Sequence, residues 1–84
     1  MLAKYIMVGD MNVPIVFPEF MDHSKVAENF GGPEKVSSAG FVKVGVDGKG
    51  GIRVVCWGES TTLGLKSGGE EDAVFIKIML RGKE

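Results

Sequence analysis

The chain has 84 residues, enough for one small domain that hides about 60–65% of its unfolded surface on folding. Hydrophobic residues make up 44% and charged residues 25%, values of a globular chain that exclude disorder, and the net charge of -1 gives no electrostatic footprint for nucleic acid or an anionic membrane. One Cys excludes an internal disulfide, and one Cys with one His cannot complete a four-ligand Cys/His zinc site, so no cofactor or metal is expected.

The apolar run within Met1–Asp10 is far shorter than a secretory h-region, and no small-residue cleavage pattern follows it. No stretch approaches the roughly 18–20 apolar residues of a membrane span. A lone thiol fits a reducing compartment. The expectation is a cytoplasmic protein with no membrane partner, folded as a single domain over residues 1–84, since no repeat or linker interrupts the chain.

Lys4–Gly9 is a short apolar run of strand formers, Asp10-Met11-Asn12 reads as a turn, and Val13–Phe17 as a second strand. Pro14 removes a ladder donor, which places that second strand at an edge or a strand start. Asp22 is positioned to cap a helix over residues 23–30, in which Val26 and Phe30 share a face, and Gly31-Gly32-Pro33 stops it. Residues 36–46 carry the pattern of a long strand, with Val42, Val44 and Val46 on one face, Phe41 and Lys43 on the other, and a bulge or bend expected near Ala39-Gly40. Asp47-Gly48 signals a hairpin return into Ile52–Trp57. Both faces of the second half of that run are apolar, which predicts a central strand. A further strand is expected over Thr61–Lys66.

The last segment carries two competing signals. Ser67-Gly68-Gly69-Glu70 has capping-box spacing, acids open the segment, Lys77 and Arg81 close it, and Gly82 follows, as a helix requires. Yet residues 73–80 are rich in β-branched and aromatic side chains. Helix is the reading adopted, with Ala73, Ile76 and Leu80 as its inward stripe and Val74, Phe75, Ile78 and Met79 spread over other faces. The order β, β, α, β, β, β, α predicts an α+β fold: a small curved antiparallel sheet of about five strands, a short inserted helix and a C-terminal helix. A small β-barrel with one helix is the alternative.

Several stretches invite a chemical reading. Gly45–Gly51 resembles a phosphate loop, but Gly50 stands where magnesium needs a hydroxyl, and a strand follows where a helix should. Gly58-Glu59-Ser60-Thr61-Thr62 is half of a nucleophile elbow; with His23 as the one imidazole base and Asp10 as its orienter, a Ser60–His23–Asp10 hydrolase arrangement is the enzymatic alternative. Against it, residues 59–62 read as a polar turn and His23 as a solvent-facing side chain at a helix start. Cys56 in an apolar strand reads as a packed small hydrophobe. Glu70, Glu71 and Asp72 read as solvated helix-start charges rather than a calcium site. Gly40-Phe41-Val42 matches only part of the RNA-binding octapeptide, so nucleic acid is disfavoured, although Phe41 and Trp57 would stack bases if both reached one exposed sheet face with Lys43, Arg53 and Lys49.

No stretch carries a motif specific enough to name a family. The apolar surplus on the Val54–Trp57 strand and on residues 73–80 points instead to a non-enzymatic module that binds another macromolecule or itself. A homodimer or other protein partner would be met by Phe75, Met79, Trp57 and Phe41.

Overall fold

A computed structural model describes residues 1–81. It contains β1 (Leu2–Val8), β2 (Val13–Pro18), α1 (His23–Glu28), a 3-10 turn (Pro33–Lys35), β3 (Val36–Val46), β4 (Ile52–Trp57), β5 (Glu59–Ser60), β6 (Leu65–Lys66) and α2 (Glu70–Arg81). The expected terminator Gly82 lies outside the described residues.

Four strands make one antiparallel sheet in the order β2-β1-β3-β4, and β5 and β6 pair as a separate ribbon. The fold is a small α+β domain. Because β2 and β4 remain separate edges, the described residues close no barrel. The proline argument holds, since β2 carries Pro14 and sits at an edge. The expectation of a central Ile52–Trp57 strand does not hold. β4 is the other edge, and the apolar residues on its second face, Val55 and Trp57, are half exposed rather than sandwiched. Val46 pairs with Ile52 across the Asp47–Gly51 loop, as the hairpin reading required. The Asp47 carboxylate accepts the Lys49 and Gly51 amides, both at 2.8 Å, and these bonds hold its pKa below the usual range.

Strand alternation sorts the core into two layers. On one face Ala3, Tyr5, Met7, Val42 and Cys56 pack beneath Ile76 of α2, with Ala73 and Phe75 beside it. Complete burial of Ile76 contributes about 1.5–3 kcal/mol to holding the helix down. On the other face Ile6, Phe17, Val36 and Ala39 pack against Val26 and Ala27 of α1, and Leu63 and Leu65 cover the margin. The six-residue α1 is too short to roof that face. Its far half stays open.

Local details depart from the sequence reading. The bulge falls at Ser37, where the β1–β3 register steps from Met7↔Ser38 to Val8↔Val36. Gly40 answers a different need. A Cβ there would lie 2.6 Å from the Trp57 carbonyl oxygen and 3.0 Å from the Ser67 Cβ, so the glycine permits close backbone approach. Thr61–Lys66 is not one strand; only Leu65–Lys66 pairs, with Glu59–Ser60, across a turn. Asp22 stands at the α1 N-cap without a side-chain cap bond, and Phe30 lies beyond the helix and is exposed. In α2 the inward side is Asp72 and Ile76, while Leu80 is exposed with the rest of the last turn, Ile78–Arg81.

Candidate functional site

The open half of the second face is a platform built from strand register. Phe17, Lys4, Phe41 and Trp57 form one transverse row across all four strands, because Lys4 pairs with both Phe17 and Phe41, and Phe41 with Trp57. The next row is Leu2, Lys43 and Val55, and beyond it Arg53 pairs with Gly45. The Phe41 and Trp57 rings stack at a centroid separation of 6.1 Å and an interplanar angle of 26°. Gly58, at φ +82°, lets this happen: a Cβ there would sit 2.9 Å from Phe41 Cδ2. Trp57 remains 42% exposed, Leu2 and Val55 are similarly open, and Lys43 and Arg53 are exposed. Lys4 Nζ donates to the Met21 carbonyl at 3.0 Å, which fixes its charge beside the aromatic row. Lys49, in the hairpin loop, lies off the strands that build the platform.

His23 closes one side of this platform. Its ring meets Phe17 and Phe41 edge-on, at 5.6 and 6.1 Å between centroids, and Nε2 lies 2.9 Å from the Gly40 carbonyl oxygen. The expected solvent-facing histidine is therefore buried. Since a carbonyl only accepts, Nε2 carries the proton. Burial holds the His23 pKa below its ordinary value, with Lys4 adding to the effect and the Gly40 bond opposing it.

Ser60 is also buried, but its partners are local. Its Oγ accepts the Leu63 amide at 3.2 Å and lies 3.3 Å from Thr62 Oγ1. Asp10 is exposed in the β1–β2 loop and lines a shallow hollow with Gly9, Glu34 and Lys35. Among the described residues the side-chain hydrogen bonds of His23 and Ser60 run to Gly40 and to the residue 60–63 turn, and none joins either to the other or to Asp10.

The polar cluster that sequence reasoning missed lies under α2. Asp72, only 6% exposed, accepts three hydrogen bonds on Oδ2: from Tyr5 at 2.5 Å, Ser38 at 2.7 Å and the Gly68 amide at 2.8 Å. Tyr5 Oη also lies 2.7 Å from Ser67 Oγ, which in turn accepts the Gly69 amide at 3.0 Å. Asp72 is thus no solvated charge, and it, not Glu70, reaches back to the residues before the helix. A signal was present: Asp72 stands four residues before Ile76, on the helix face that is buried. Desolvation, reinforced by Asp72, raises the Tyr5 pKa well above its ordinary value, and burial pushes the Cys56 thiol up to about 11. Cys56 is a buried free thiol packed in the first core, beside the Tyr5–Asp72 cluster.

Of the remaining binding candidates, Phe75 packs half-buried against the first core, whereas Met79 is exposed. Val74 and Ile78, at 56% and 61% exposure, are the most open apolar side chains of α2. Val74 lines a cleft of about 340 Å³ between α2 and β4, together with Glu70, Lys77, Ile52 and Arg53. Among the described residues no three His, Cys, Asp or Glu side chains converge as metal ligands, and no helix is long and apolar enough to cross a membrane. No family model, curated protein or solved structure matches the chain.

Proposed function

We propose that this protein is a non-enzymatic binding module that works by joining polypeptides at the β4 edge, in the first instance a second copy of itself. The observation that carries this reading is the contrast between the two sheet edges. β2 is blunted by Pro14 and Pro18, whereas Ile52–Trp57 holds no proline and leaves alternate backbone groups free to pair. Beside that bare edge α2 exposes Val74 and Ile78, one turn apart on the same side. Antiparallel pairing about a two-fold axis normal to the sheet lays the two α2 helices side by side in opposite directions. Glu70 and Glu71 of one copy then approach Lys77 and Arg81 of the other, so each helix end meets the opposite charge of its partner.

Light scattering with analytical ultracentrifugation tests the reading. The wild type is expected to be dimeric at micromolar concentration, and Ile78→Glu, at a site already open to water, to be monomeric with an unchanged circular dichroism spectrum. Phe75→Glu should instead unfold the chain, since Phe75 packs in the core. A wild type that stays monomeric at high micromolar concentration would refute the proposal.

A further inference from the structure

The edge pairing leaves the open sheet face uncovered, and that face carries a second, independent inference. We propose that it binds single-stranded nucleic acid, with bases stacked on Trp57 and Phe41 and phosphates held by Lys43, Arg53 and Lys4. The first support is geometric. Trp57 and Phe41 stack on each other at paired positions of β4 and β3, and Trp57 remains 42% exposed beyond that contact, whereas Phe17, in the same row, is buried with α1. Every nucleobase offers a face to such a surface, so stacking requires no particular sequence. A half-open tryptophan and phenylalanine side by side are what successive unstacked bases need.

The second support is charge complementarity. Lys4 adjoins Phe41 across the β1–β3 pair, Lys43 follows one row on, about 7 Å along the strand, and Arg53 one row further. The open half of this face presents Leu2, Lys43, Arg53, Val55 and Trp57 beside Lys4, with no acid among those strand positions, and Asp22 stands at its margin, close enough to act on His23. The overall charge of -1 therefore coexists with strand positions on this face whose charged residues are Lys4, Lys43 and Arg53, the last of which also lines the α2 cleft with Asp47 and Glu70. Duplex nucleic acid, with its bases stacked inside, offers such a surface phosphates alone. Unstacked single strands offer both chemistries at once.

The consequence is quantitative. Three cations predict that the logarithm of the single-strand association constant falls against the logarithm of salt concentration with a slope near -2, or about a 20-fold loss between 50 and 200 mM salt. The experiment is fluorescence anisotropy of a labelled single-stranded DNA oligonucleotide of about ten nucleotides, with Trp57 emission followed in parallel. Trp57→Ala is expected to weaken binding about tenfold, and Lys43→Glu to weaken it and flatten the salt slope by about one unit. Both substitutions fall at exposed positions, and circular dichroism checks that they fold. Ile78→Glu should bind as the wild type does, which separates this site from the β4-edge assembly. Absence of binding at 50 mM salt would overturn the proposal, as would binding indifferent to both substitutions. Conversion of an oligomer to monomer by Trp57→Ala would overturn it too, because the face would then belong to a protein interface.

Discussion

Replacing Asp72 by Ala tests the account of how α2 is attached. One carboxylate oxygen gathers donors from β1 (Tyr5), from β3 (Ser38) and from the segment before the helix (Gly68), so it ties three parts of the chain together. Each hydrogen bond to a charged acceptor is worth about 1.5–3 kcal/mol net when made, and an orphaned buried donor costs about 1–3 kcal/mol. The three donors are not equally stranded by the substitution. Tyr5 retains Ser67 Oγ at 2.7 Å, while Ser38 and Gly68 are part-buried and regain water incompletely. Releasing the carboxylate also returns the desolvation cost of its charge. The balance is a loss of about 3 kcal/mol, a large share of the roughly 4–12 kcal/mol expected for a domain of this length. Urea denaturation at neutral pH, followed by far-ultraviolet circular dichroism, measures it, and the melting temperature should fall by about 12–24 °C. Tyr5→Phe, which removes one donor and leaves the carboxylate its other two, should cost about 1 kcal/mol. A loss below about 1 kcal/mol for Asp72→Ala would show that the cluster contributes no net stability and that apolar burial of Ile76 alone holds the helix.

Two further predictions rest on buried titrating groups. His23 is held neutral by burial, so its folded pKa is depressed; its contribution is complete above the ordinary value of 6.5 and is lost as pH falls below it. Urea stability measured between pH 7.5 and 5 should decline, and His23→Phe should flatten that acid limb; identical profiles would refute the assignment. Cys56 is displaced the other way, to about 11, so its contribution is complete below its ordinary value of 9.0 and is lost as pH rises toward 11, a change on the order of 2 kcal/mol. Cys56→Ala should reduce that alkaline loss, leaving the part due to Tyr5. In the native state Cys56 should resist a thiol reagent and react after unfolding, and rapid native labelling would contradict its burial.

How far the sequence determined this protein depended on whether a signal was local. The turn at Asp10–Asn12, the Asp47–Gly51 hairpin and the acid-to-base order of α2 are set by neighbours a few residues apart and are found where the pattern placed them, while α1 ends at Glu28, two residues short of the expected 23–30 span. Pro14 announced an edge because a missing amide is a property of one residue. What required the tertiary structure was every question of what lies above a face. Apolar alternation on both sides of Ile52–Trp57 reads the same for a buried strand and for an edge with a half-open platform, and only the six-residue length of α1, against a four-stranded sheet, leaves that half uncovered. Asp72 and His23 changed from surface to buried groups for the same reason. Their partners, Tyr5, Ser38 and Gly40, lie between 17 and 67 residues away in sequence, and no window of local pattern contains both halves of such a bond. The row that joins Lys4, Phe41 and Trp57 is likewise a product of register between strands. Register is fixed by turns and by which faces find cover, so it appears only once the whole chain has folded.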